Sequence, residues 1–145
     1  MKRLLILSLA VLVGCGILIG CSSDKKANDA APNDNENESE KNSYKQISQA
    51  EAKALMDSEA NYIIIDTREQ YEFDEGHIEG AILIPYTEIA EKAEGVLTDK
   101  GQLILVYCRS GRRSKIAAQS LADLGYTNVR EFGGIIDWEY GIVTD

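Results

Sequence analysis

The chain is 145 residues long, with 15 Lys and Arg against 24 Asp and Glu, a formal charge of −9, and 44% hydrophobic residues. That length holds one ordinary domain, and the acidic balance argues against generic electrostatic binding to nucleic acid or to an anionic lipid surface. Three cysteines are too few for a disulfide-stapled mini-protein, and no collagenous, coiled-coil or multi-pass membrane pattern is present.

The first segment in chain order reads as an export signal. Met1, Lys2 and Arg3 supply a positive start, and residues 4–19 are almost free of polar side chains. The stretch ends in Leu18-Ile19-Gly20-Cys21, similar to the lipobox of bacterial lipoproteins, in which a small residue precedes a cysteine that is acylated and becomes the mature N-terminus. The resemblance implies lipidation of Cys21, with residues 1–21 as signal and the rest held outside the cytoplasm on a membrane through its lipid. The box ending at Cys15 would leave Gly16-Ile17-Leu18-Ile19 as an apolar start, so Cys21 is the better site. An uncleaved anchor is the alternative, since about 16 apolar residues fall just short of the roughly 17–25 that cross a bilayer.

Residues 22–43 contain no Leu, Ile, Val, Met or aromatic residue and cannot form a core, so a disordered polar tether is expected there. As a random coil it spans about 25 Å. The foldable domain is expected over residues 44–145. Ser48-Gln49-Ala50-Glu51 fits a capping box opening a helix to about Met56. Residues 62–66, 81–84 and 103–107 are continuous apolar runs, which suit strands buried on both faces of a parallel sheet. Residues 88–96 and 114–124 read as helices, Gly125 as a helix-ending glycine, and residues 129–132 as a last strand. Alternation of strands and amphipathic stretches predicts an α/β domain.

The informative junction is Tyr107-Cys108-Arg109-Ser110-Gly111-Arg112-Arg113-Ser114, where a buried strand gives way to a short loop and then a helix. In open α/β sheets ligands bind outside the carboxyl ends of the strands, where loop amides and a helix N-terminus favour anions. Residues 109–115 carry Arg109, Arg112, Arg113 and Lys115 with no acid, whereas the rest of residues 44–145 holds 6 bases and 18 acids. This basic island points to a small anionic substrate and to a thiolate at Cys108. A thiol pKa lowered by about two units raises the thiolate fraction at pH 7 some 25-fold, of which the loss of nucleophilicity returns roughly 6- to 10-fold. Most of the catalysis must therefore come from positioning the anion and stabilising the leaving group. With Cys15 removed and Cys21 lipidated, Cys108 is left as an odd exported cysteine, which is either intermolecular or reactive.

With these residues in view, residues 44–145 resemble a single rhodanese-like sulfurtransferase domain. The resemblance rests on Asp66-Thr67-Arg68, Tyr71-Glu72-Phe73, Gly76-His77-Ile78 and Gly80-Ala81, on the loop from Cys108 to Arg113, and on Phe132-Gly133-Gly134-Ile135 with Trp138 and Gly141. Leu83 departs from the family's frequent asparagine. The resemblance implies a three-layer α/β/α fold around a mainly parallel sheet of about five strands. It implies that Cys108 takes sulfane sulfur from thiosulfate or a similar donor and passes it to cyanide or a thiol. Arg109, Ser110, Gly111, Arg112 and Arg113 would complete the substrate cradle, and Ser114 would start the helix. His77 is expected to be structural, Asp66 to form an ion pair, and Trp138 to pack in the core, with Arg68 left open.

Two other functional classes compete with this one. A phosphatase or arsenate reductase loop, Cys-x5-Arg, would need arginine where Ser114 stands, and a non-catalytic binding module would not need the cysteine and arginines. One histidine and one available cysteine cannot make a structural zinc shell, so neither a metal nor another cofactor is expected. The expected partners are the small sulfur donor, its acceptor and the membrane, not nucleic acid, with the domain acting as a monomer.

Overall fold

The capping residues at the head of the domain do what their spacing predicts. In a computed structural model that describes residues 43–144, the Ser48 hydroxyl accepts the Glu51 N–H at 3.2 Å, and the Glu51 carboxylate accepts the Ser48 N–H at 2.8 Å. Two donors of the first turn are thereby satisfied, and helix α1 runs Gln49–Ser58. The signal segment, Cys21 and the tether up to residue 42 lie outside the described residues.

The elements then follow as strand β1 (Lys45–Gln46) ahead of α1, then β2 (Tyr62–Asp66), α2 (Gln70–Glu75), β3 (Ala81–Leu83), α3 (Ile89–Val96), β4 (Leu103–Cys108), α4 (Arg112–Asp123) and β5 (Val129–Gly134). A single 3-10 turn, Ile135–Asp137, follows. All four strand pairings are parallel, in the order β1-β5-β4-β2-β3. The parallel sheet is the one the apolar runs predict, and the architecture is the three-layer α/β/α one that the resemblance implies.

Those runs are continuous because both sheet faces are covered. Ile65 of β2 and Ile104 and Val106 of β4 pack with Ile89 and Ala93 of α3 and with Ala117, Ala118 and Leu121 of α4. The residues between them in sequence, Ile64, Leu103, Leu105 and Tyr107, turn to the other face against Ala52 of α1 and Phe132. All six residues of β4 are buried, as befits the centre of the sheet. Helix α4 ends as Gly125 predicts: the Gly125 N–H donates to the Ala122 carbonyl at 2.9 Å and the Tyr126 N–H to the Leu121 carbonyl at 3.1 Å. Leu121 and Tyr126 meet in the core beneath that turn.

Three local features differ from the sequence reading. Strand β1 is two residues long and exists only through its pairing of Lys45 with Arg130 and Gln46 with Glu131, too short to leave a pattern. Helix α2 has six residues, fewer than two turns, so its buried Glu72 and Phe73 show no periodicity. Helix α4 begins at Arg112, not Ser114, because Gly111 at its N-cap has a left-handed backbone with φ +93° and turns the chain into the helix two residues earlier. Ser114 thus lies inside the first turn and is fully buried.

Since Ile104 is fully buried between helices on the crowded face of the central strand, Ile104→Ala is expected to cost about 2–5 kcal/mol of unfolding free energy in urea titration. Ile116→Ala, at a side chain 46% exposed on α4, is expected to stay within about 0.5 kcal/mol of the parent.

Candidate active site

Strand β2 continues to β3 on one side of the sheet, while β4 continues to β5 on the other. The crevice between the carboxyl ends of β2 and β4 is therefore the topological switch point, where open α/β sheets bind their ligands. Thr67 closes the base of that crevice, donating its N–H at 3.0 Å and its hydroxyl at 2.8 Å to the Tyr107 carbonyl. Cys108 is the last residue of β4, only 1% exposed, and its sulfur lies under the loop that follows.

The loop folds back over its own cysteine. The Gly111 N–H donates to the Cys108 Sγ at 3.1 Å, and the amides of Ser110 and Ser114 also favour a charged sulfur, while the Ser114 hydroxyl gives its proton to Glu131. Burial pushes the Cys108 thiol up, but these hydrogen bonds outweigh it, and the net displacement is below the ordinary thiol value. The thiolate expected from the basic flank is thus held chiefly by hydrogen-bond donors.

Strand β5 supplies the floor. Val106 pairs with Glu131 but Cys108 pairs with Gly134, so β5 carries one extra residue in a β-bulge beside the cysteine. The bulge turns Glu131 inward, where its Oε1 accepts the Gly133 N–H at 2.9 Å and the Ser114 hydroxyl at 2.7 Å. At Gly134 the requirement is space: a β-carbon there would lie 2.2 Å from the Arg109 carbonyl oxygen and 2.5 Å from the Ser110 Cα. The Ile136 N–H then donates to the same Arg109 carbonyl at 3.2 Å. These contacts are what the Gly-Gly-Ile segment contributes to the site.

The charged side chains divide into matched and unmatched. Arg113 makes a two-pronged pair with Glu72, at 2.6 and 2.8 Å, that ties the start of α4 to α2. The hydrogen bond from Arg113 holds the Glu72 carboxyl below the usual range against the opposing effect of burial. Arg68 is buried and locked to Asp66, with Nη2 to Oδ2 at 2.6 Å, and also donates to the Gly76 carbonyl at 2.7 Å. Arg109 on the loop and Arg112 at the first position of α4 are exposed and have no ion pair among the described residues. Of the three loop arginines named from the sequence, two can therefore turn to a ligand without breaking an existing pair.

The remaining candidates have structural contacts. His77 is buried, stacked on Phe73 at 3.7 Å between ring centres, with Nδ1 3.0 Å from the Phe73 carbonyl. Its backbone exchanges hydrogen bonds with Val143 at 2.9 and 2.8 Å. Trp138 packs against Phe132 at 5.6 Å and donates its indole N–H to the Gly141 carbonyl at 2.9 Å. Sequence reasoning missed Glu131 and Glu72 as supports of the loop. The signal in Glu72 was its place between Tyr71 and Phe73, and Glu131 left none, because an acid in a short strand reads as an exposed residue.

Because backbone donors hold the Cys108 thiol below its ordinary value against the effect of burial, alkylation by iodoacetamide followed against pH is expected to have its midpoint below that of an unstructured cysteine peptide. A parent midpoint at or above the peptide's would contradict this.

A family model for the rhodanese-like domain matches residues 48–140. Over 73 residues the chain is 38% identical to the thiosulfate sulfurtransferase PspE of Escherichia coli (strain K12), covering 50% of this chain and 70% of that protein. Over 97 residues it is 35% identical to the thiosulfate sulfurtransferase GlpE of Coxiella burnetii (strain RSA 331 / Henzerling II), covering 66% of this chain and 88% of the relative. Among solved structures, a rhodanese with anions from E. coli matches with a TM-score of 0.55 at 34% identity, over 58% of this chain and 99% of that one. With the family pattern matched over most of the described domain, the chain belongs to the rhodanese-like family and has thiosulfate sulfurtransferases among its relatives.

Proposed function

We propose that this protein is a sulfurtransferase that carries sulfane sulfur as a persulfide on Cys108. The observation that carries the reading is a cysteine at the carboxyl end of β4 whose sulfur receives the loop amides, beside two unmatched arginines. The named activity of the relatives supports the same chemistry.

In the first half-reaction the Cys108 thiolate attacks the outer sulfur of thiosulfate. The cysteine sulfur-to-sulfur bond forms, the sulfur–sulfur bond of thiosulfate breaks, and sulfite leaves with the electron pair. Arg109 and Arg112 attract the dianion and offset charge on the departing sulfite. The persulfide's terminal sulfur then takes the position in which the loop amides converge. In the second half-reaction a nucleophile such as cyanide or a thiolate attacks that sulfur, and Cys108 leaves as the thiolate. No net oxidation of the protein occurs over the cycle. The buried Glu131 and the pair between Glu72 and Arg113 hold the loop in shape, so the amides need little rearrangement between the two states.

Intact-mass measurement of residues 22–145 after incubation with thiosulfate is expected to show the gain of one sulfur atom. The gain is expected to vanish on addition of cyanide and to be absent from Cys108→Ala. A folded, reduced protein that gains no sulfur would sink the reading, and hydrolysis of p-nitrophenyl phosphate lost on Cys108→Ser would replace it with oxyanion chemistry.

We infer further that the domain acts outside the cytoplasm, held to a bacterial membrane through lipid on Cys21. The order of basic start, apolar run, Gly20 and Cys21 supports this. In cells fed labelled palmitate the full chain is expected to incorporate label, and Cys21→Ala to abolish it. Equal labelling of the two would contradict the anchor.

A further inference from the structure

Beside the cysteine loop lies a pocket of about 250 Å³ whose wall includes Arg109, Tyr71, Glu75 and Ile136. Arg68 and Glu72 also border it, but their charges are matched by Asp66 and Arg113. The pocket's unmatched charges are therefore one cation, Arg109, and one carboxylate, Glu75. Both are exposed, and neither side chain makes a hydrogen bond or ion pair with any described residue. The same wall carries two apolar side chains left open, Tyr71 at 65% and Ile136 at 61% exposure.

A doubly anionic donor cannot use this arrangement fully, because Glu75 repels it. Its attraction comes from Arg109 and Arg112 on the loop itself. Glu75 becomes useful only to a molecule with a positive group, and Arg109 to one with a negative group. The volume falls below the roughly 300–1,000 Å³ of pockets for drug-sized ligands, so it suits an occupant of amino-acid size.

Resting on the sulfurtransferase reading, we propose that this pocket is the acceptor subsite and that it selects a small thiol bearing both an ammonium and a carboxylate group. Arg109 holds the carboxylate, Glu75 the ammonium, and Tyr71 and Ile136 cover the carbon skeleton. The acceptor's thiolate attacks the terminal sulfur of the Cys108 persulfide, the new sulfur–sulfur bond forms on the acceptor, and Cys108 departs as thiolate. Specificity arises from the charge pattern: an acceptor lacking the ammonium leaves Glu75 unmatched or repelled.

The test compares wild type with Glu75→Gln, using persulfide-loaded protein and four thiols: cysteine, cysteamine, N-acetylcysteine and 2-mercaptoethanol. Taking the ratio of wild type to variant for each thiol removes differences in intrinsic thiol reactivity. Glu75→Gln is expected to lower kcat/KM about three- to five-fold for cysteine and cysteamine, the size of one partly exposed charge pair. It is expected to leave N-acetylcysteine and 2-mercaptoethanol unchanged or slightly improved. Sulfur loading from thiosulfate is expected to be equal or slightly faster in Glu75→Gln, since a repelling charge is removed, and the melting temperature is expected to be the same in both proteins. Normal loading with the same ratio for all four thiols would overturn the acceptor assignment alone. Absence of loading in wild type, from thiosulfate and polysulfide alike, would overturn the sulfurtransferase reading and the acceptor assignment with it.

Discussion

The cysteine loop can sit where it does only because β5 has no side chain under it. The Arg109 carbonyl and the Ser110 Cα approach so closely to Gly134 that even a methyl group would overlap backbone atoms, which cannot swing aside as a long side chain could. From this contact the rest of the site follows. The loop is pressed down against the sheet, its amides face inward to the sulfur, and the next residues enter α4 with Ser114 on the inner side. The bulge that offsets Cys108 against Gly134 brings Glu131 beneath the same loop, where it takes both the Gly133 amide and the Ser114 hydroxyl. A buried carboxylate is costly unless its oxygens receive donors, and here the donors belong to the two segments it holds together.

The second organising feature is the division of charge at the carboxyl edge of the sheet. Asp66 with Arg68, and Glu72 with Arg113, are complete pairs that serve the architecture: one fixes the turn after β2, the other joins α2 to α4. Removing one partner of such a pair would leave a poorly solvated charge, so neither pair is readily opened to bind a ligand. In the proposed function, recognition falls to Arg109, Arg112 and Glu75, whose exposed side chains can exchange water for substrate. Rigidity and recognition are thereby assigned to different side chains of the same sign. The basic island of the sequence is therefore less basic, in its available charge, than its composition.

The thiolate illustrates how modest each contribution is. Burial alone would disfavour the charged sulfur, and only several donors acting together reverse it. Because a more stabilised thiolate is also a weaker nucleophile, the value of those donors in the proposed reaction lies in holding the transferred sulfur and in reducing rearrangement between the free and loaded states. That task depends on backbone geometry, and hence on Gly111 and Gly134 as much as on any charged group.

Much of the fold was legible in the sequence because its causes are local or periodic. The runs at Ile63-Ile64-Ile65 and Leu103-Ile104-Leu105-Val106 demand cover on both faces, Ser48 and Glu51 cap a helix within four residues, and Gly125 ends one. The cysteine loop was legible for the same reason: a buried strand, a run of cations and a helix start lie consecutively. Strand β1 and helix α2 were not, since each is too short to show a period and is held by contacts with distant segments. The roles of Arg113, Glu72 and Glu131 were decided only by tertiary structure. A charge's availability depends on whether an opposite charge from another element meets it, and spacing along the chain carries no record of that meeting.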